Sequence, residues 1–160
     1  MKTVARILAA AAVAASLVGV SAAPSEAGFG IFSAFQGQPK VTATVSISKQ
    51  TLVLDVVKNG TTQSVTWKVS TGKTGFETPT GAYKPTWLSK NHKSKTYDDA
   101  PMPFAVFFTG GYAIHATDAV SRLGKPASHG CVRLSKENAA QFFALVEAYG
   151  KWNTQIVIVD

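Results

Sequence analysis

The stretch Val41-Thr42-Ala43-Thr44-Val45-Ser46-Ile47 decides the fold class, because apolar and polar residues alternate along it without a break. Successive side chains of a strand point to opposite faces, so this pattern makes one buried face and one wet face. Leu52 to Val57 forms a second apolar run, and Asn59-Gly60 supplies two residues that accept positive φ in a tight hairpin turn. Val65, Trp67 and Val69 alternate on the returning strand. Further out, Gly72, Gly75, Pro79 and Gly81 punctuate a turn-rich stretch that a helix does not tolerate. Phe104 to Thr109 and Tyr112 to His115 read as two strands joined through Gly110-Gly111. One helix is expected after Ser135, whose hydroxyl suits an N-cap. Ala139, Phe142, Phe143, Val146 and Tyr149 recur along it at helical spacing, and Gly150 suits the position past its end. Ile156 to Val159 reads as a final buried strand. The expected fold is mainly β, barrel- or sandwich-like, with one clear C-terminal helix packed on it.

The chain of 160 residues is 46% hydrophobic, enough for one domain with a buried core and too apolar for global disorder. Residues 1–27 read as a secretory signal peptide: Lys2 and Arg6 precede an apolar run from Ile7 to Val20, and small residues follow. That run of 14 residues is too short to span a bilayer, which takes about 20. Cleavage is expected after Ala27, since Pro24 obstructs the earlier small-residue site. Residues 28–40, rich in Gly and Phe, read as a leader or linker, and 41–160 as the folded domain. Loss of Lys2, Arg6 and Glu26 takes the net charge from +7 to +6, so the mature chain stays basic. An exported basic domain meets wall polymers and lipid surfaces outside the cell, with periplasm or cell wall as its expected location and nucleic acid a poor partner. No transmembrane segment is expected in the mature chain.

The single cysteine excludes a disulfide framework and any zinc site built on several thiolates. Cys131 lies in Ser128-His129-Gly130-Cys131-Val132-Arg133-Leu134. One reading makes it a small buried apolar residue; the other makes it a nucleophile. A thiol of ordinary pKa, about 8.5, is only ~3% ionised at pH 7, so reactivity needs a base or cation nearby. His129 or His115 can serve as base, Arg133 and His129 add positive potential, and Gly130 permits close backbone approach. His92, in Lys90-Asn91-His92-Lys93-Ser94-Lys95, reads as a solvated loop residue. The polar stretch from Ser89 to Asp99 reads as an ordinary loop or as a lid over a site. Asp118 reads as a loop cap or as a carboxylate orienting His115. Three scattered histidines without a second thiol are a weak ligand set, so neither metal nor cofactor is expected.

Ile114-His115, twelve residues, then Ser128-His129-Gly130-Cys131-Val132-Arg133-Leu134 closely resembles the catalytic signature of the L,D-transpeptidases of the YkuD type. The segments Val69 to Lys73, Thr78 to Tyr83 and Met102-Pro103-Phe104 are similar to that family too, so the resemblance runs from about Val41 to Asp160. Ala116 stands where many members have glycine. The resemblance implies an exported cysteine acyltransferase acting on peptidoglycan tetrapeptide stems. It implies Cys131 as nucleophile, through a thioester, and His115 as general base and acid. The Ala116 backbone carbonyl would orient His115, and N–H groups around His129, Gly130 and Cys131 would face the oxyanion, with Ser128 shaping the loop. Arg133 would meet a stem carboxylate or brace the loop. An amine acceptor gives a 3→3 crosslink or tethers a wall-anchored protein, and water gives L,D-carboxypeptidase action. The reading from another class is a non-catalytic basic domain that binds wall polymers.

Overall fold

A computed structural model describes residues 40–160. The expected signal peptide, and all of the leader except Lys40, lie outside the described residues. Among the described residues, nine strands form two sheets. The first sheet has the order β3-β2-β1-β9-β4, built from β1 (Val41–Ser46), β2 (Thr51–Lys58), β3 (Thr61–Lys68), β4 (Gly81–Tyr83) and β9 (Thr154–Val159). The second has the order β5-β6-β7-β8, built from β5 (Trp87–Lys93), β6 (Pro101–Thr109), β7 (Tyr112–Ala116) and β8 (Val132–Leu134).

The alternation in β1 buries Val41, Ala43 and Val45 completely and leaves Thr42, Thr44 and Ser46 half-buried. Asn59 and Gly60 adopt φ of 52° and 76° and turn β2 into β3, matching the right-handed twist of the hairpin. The single α-helix among the described residues, α1 (Lys136–Tyr149), starts where the Ser135 hydroxyl accepts from the Asn138 N–H, and ends at Gly150 with φ 86°. Ala139, Phe142, Phe143 and Val146 on α1 are buried in one core with Val106 and Ile114 of the second sheet and Val45 and Ile156 of the first. The architecture is therefore a two-sheet arrangement closed by the helix, as the hydrophobic pattern predicts.

Two local expectations are corrected. Ser89–Lys93 is not loop: it belongs to β5, an edge strand paired with β6, and only Ser94 to Ala100 turns back. Its lysines hid the strand, since edge strands carry exposed charge that blocks further pairing. His92 is accordingly a strand residue, half-buried and set edge-on against Trp87 and Phe107. The strand β4 was also missed, because three residues starting with a glycine carry no periodicity.

Candidate active site

The site grows from the parallel pair β7–β8. Ile114 pairs with Val132, His115 with Arg133, and Ala116 with Leu134. Ile114, Ala116, Val132 and Leu134 face the main core. Parity then sends Ala113, His115, Cys131 and Arg133 to the other face. There Cys131 packs on a second, smaller cluster of Met102, Ala105, Phe107 and Ala113. The alternation that builds the core thus also places imidazole and thiol together on one face. Both line a cavity of about 550 Å³, with Tyr97, Met102, Tyr112, Asp118, His129 and Arg133 among its walls.

His115 is 5% exposed, and its Nδ1 lies 2.7 Å from the carbonyl oxygen of Ala116. A carbonyl only accepts, so Nδ1 carries the proton and Nε2 keeps its lone pair. Burial pushes the imidazole pKa from 6.5 down to about 4; the Ala116 bond opposes this, while the charges of Arg133 and His92 reinforce it. Burial also raises the Cys131 thiol, against the opposing pull of an Ala113 backbone hydrogen bond and of Arg133. The expectation that cationic neighbours would ionise the thiol is corrected: desolvation outweighs them. Both groups rest uncharged, and the thiol donates weakly to the Gly111 carbonyl at 3.9 Å.

The loop before the cysteine is held by groups remote in sequence. Ser128 is fully buried; its hydroxyl donates to the Cys131 carbonyl at 2.5 Å and accepts from the Gly130 N–H at 3.0 Å. The Ser128 N–H donates to Thr71 and its carbonyl accepts from Lys73. Thr78 Oγ1 donates to the Gly130 carbonyl at 2.8 Å while accepting from the Gly72 N–H. Gln50 completes the brace, accepting from the Thr71 N–H and donating to its hydroxyl. Gly130 adopts φ 107°, and a Cβ there would lie 2.3 Å from the Tyr112 ring. No other residue fits.

This bonding corrects one detail of the expected oxyanion site. The Gly130 N–H, expected to face an oxyanion, is already spent on the Ser128 hydroxyl at 3.0 Å. The His129 ring stacks on Tyr97 at 4.5 Å and meets the edge of Phe76 at 4.6 Å. Arg133 Nη1 donates to the Ala127 carbonyl at 3.4 Å while the residue lines the cavity, so it braces the loop and still presents charge to the site. Asp118 lines the cavity mouth but does not orient His115, whose Nδ1 is taken by Ala116. Nor does its carboxylate cap the turn; Thr117 Oγ1 does, accepting from Ala119. Sequence reasoning missed Gln50, Thr71, Thr78 and Tyr97, whose contacts to the site arise only through folding.

A family model described as YkuD, L,D-transpeptidase catalytic domain, matches residues 40–158. The Bacillus subtilis protein named putative L,D-transpeptidase YqjB is 28% identical over 129 residues, spanning 72% of this chain and 70% of that protein. The solved structure of LdtMt1 in complex with imipenem superposes with a TM-score of 0.63 at 24% identity, over 76% of this chain and 59% of the other. An L,D-transpeptidase from Stackebrandtia nassauensis gives a TM-score of 0.63 at 24% identity, over 84% and 62%. The chain thus spans about three-fifths of the length of these solved relatives, and at such identities they establish the shared fold.

Proposed function

Because the chain belongs to the YkuD L,D-transpeptidase catalytic domain family, we propose that it is an exported cysteine acyltransferase that works on peptidoglycan tetrapeptide stems. One observation carries this reading: Cys131 and a tautomer-locked His115 stand on the same sheet face and line the same cavity.

The thiol attacks the carbonyl between the L-centre of the third stem residue and the terminal D-residue. As the S–C bond forms, His115 Nε2 takes the thiol proton; the transient negative charge falls on the carbonyl oxygen, toward the N–H groups of His129 and Cys131. A donor of that kind is worth about 3–4 kcal/mol in other enzymes. The C–N bond then breaks, and His115 returns the proton to the leaving amine, freeing the D-residue and leaving a thioester. An acceptor amine attacks the thioester, loses its proton to His115 and expels the sulfur, which is reprotonated. A depressed imidazole pKa leaves Nε2 unprotonated at every pH above about 4 but makes it a weaker base, so the thiol proton moves to it together with S–C bond formation rather than before it. Held by Ala116, the ring has no tautomer to change before it acts. Arg133 supplies the positive charge at the cavity wall that a stem carboxylate requires.

The test is incubation of disaccharide-tetrapeptide with the protein and with Cys131→Ala, followed by mass spectrometry. A 3→3 dimer formed only by the unaltered protein supports the proposal. Release of the D-residue without dimer makes the acceptor water, and a product on a protein amine makes it a tethering enzyme. Absence of every product, with Cys131 left free by a carbapenem that acylates the nucleophile, refutes the acyltransferase reading. Since LdtMt1 was solved with imipenem, that drug is the probe of choice for the adduct.

A further inference from the structure

Trp152 is 84% exposed, the barest large apolar side chain among the described residues. It stands in the short 3-10 turn Lys151–Asn153 between α1 and β9. That turn is braced. The Asn153 N–H and the Thr154 hydroxyl both donate to the Gly150 carbonyl, and Asn153 Nδ2 donates to the Tyr149 carbonyl. Two lysines clamp it to the stretch between β4 and β5: Lys84 Nζ donates to the Trp152 carbonyl at 3.0 Å, and Lys151 Nζ to the Thr86 carbonyl at 2.6 Å. The backbone thus holds the indole out in water. A lone exposed tryptophan needs no explanation; its surroundings give this one a meaning.

Four segments meet at this end of the first sheet. The Lys40 N–H donates to the Asn153 carbonyl at 2.7 Å, and the Lys40 carbonyl accepts from the Val57 N–H at 2.8 Å, directly before Lys58. Residues 40–41, 57–60, 83–87 and 150–154 carry Lys40, Lys58, Lys84 and Lys151, all exposed, and no Asp or Glu. An ammonium that braces one carbonyl keeps further N–H groups for an anion. Upstream of Lys40, residues 28–39 carry Phe29, Ile31, Phe32 and Phe35 and no charged residue, and that stretch joins the fold within the basic patch. Lysines beside uncharged aromatic residues match a bilayer boundary, anionic at its surface and apolar beneath. A hydrated wall polyanion would meet the lysines alone.

We infer that this end of the first sheet is a docking surface for an anionic lipid bilayer, with lysines at the headgroup phosphates and the Trp152 indole at the interface. Tryptophan suits that depth, because its ring is apolar while its N–H still finds a partner. Each lysine near a negatively charged surface adds an attraction that salt screens. The inference goes beyond the acyl-transfer reading and stands without it, since none of these residues lines the cavity of Cys131.

The experiment floats the mature protein with phosphatidylcholine vesicles, with and without phosphatidylglycerol, and follows tryptophan emission. Binding is expected only with the anionic lipid, with a blue shift that Trp152→Ala abolishes. Lys40→Gln with Lys58→Gln, which leaves the clamp intact, should lower the partition constant about twenty- to thirty-fold. Lys49→Gln with Lys68→Gln removes the same charge at the opposite end of the sheet, about 20 Å away. That pair should lower binding by no more than about threefold, since the distance exceeds the screening length. An equal loss in both pairs makes net charge the cause and overturns the docking surface. So does equal binding to neutral vesicles, binding to neither, or an unshifted emission in the bound protein. A parallel titration uses isolated anionic wall polymer: binding there through the same lysines, with none to vesicles, overturns the lipid assignment and gives the patch to the wall.

Discussion

The Nδ1 of His115 donates a 2.7 Å hydrogen bond to the carbonyl oxygen of Ala116, its own chain neighbour. In many hydrolytic triads a carboxylate fills this role and stabilises the imidazolium that forms. A neutral carbonyl orients the ring with less electrostatic bias toward its charged form. Burial is then free to dominate, and the imidazole pKa falls to about 4.

Acid should therefore weaken this fold through His115. The native ring resists protonation while the unfolded one accepts a proton at about 6.5, so the unfolded state binds more protons between those values. Stability contributed by the neutral ring is complete above pH 6.5, falls as the pH drops through that window, and is gone below about 4. The loss amounts to about 3 kcal/mol. Denaturant melts of the unaltered protein and of His115→Gln from pH 7 to pH 4 check this: the variant should lose markedly less. Equal slopes would refute the buried neutral histidine.

The state of the thiol gives a second prediction. An ion pair would alkylate rapidly near pH 6, whereas a protonated thiol beside a neutral base waits for a substrate. Iodoacetamide should react slowly with Cys131 at pH 6, and the rate should climb above pH 8 without an acidic plateau, following the raised thiol pKa. His115→Ala should change that simple alkylation little while removing acylation by imipenem. Rapid labelling at pH 6 would contradict the neutral resting pair.

A third prediction concerns the loop. Gly130→Ala would force a Cβ against the Tyr112 ring at a φ of 107°, so activity should fall at least a hundredfold, as a misplacement of about 1 Å at a reacting centre does. Ser128→Ala removes the hydroxyl that bonds both the Gly130 N–H and the Cys131 carbonyl. It should cost about 1–3 kcal/mol of stability and lower kcat more than it raises KM. Thermal melts and steady-state kinetics separate the two effects.

Asp118→Asn should leave kcat within about threefold, because the carboxylate is exposed at the cavity mouth and the ring it would orient is held elsewhere. A drop as deep as that of His115→Ala, measured in the same crosslinking assay, would restore the carboxylate to the machinery.

Local order was written in residue order. Alternation from Val41 to Ser46, the Asn59-Gly60 turn and the Ser135-to-Gly150 helix each depend on neighbours a few residues apart, so their signals survive in one dimension. Cys131 and His115 stood out as candidates for the same reason: each sits in a short run of unusual composition, and the runs resemble one family's signature. Charge state was not legible. Arg133 and His129 suggested an ionised sulfur, but burial is a property of the packed chain, and the desolvation it imposes is larger than the pull of the Arg133 charge. Nor could any local window reveal that Gln50, Thr71 and Thr78 would hold the loop at Ser128 and Gly130, across as many as 52 residues of chain in the Thr78 bond. Sequence order thus determined which elements form and which groups are reactive in type; strand pairing and exclusion of water decided which of those groups meet and in what protonation state they wait.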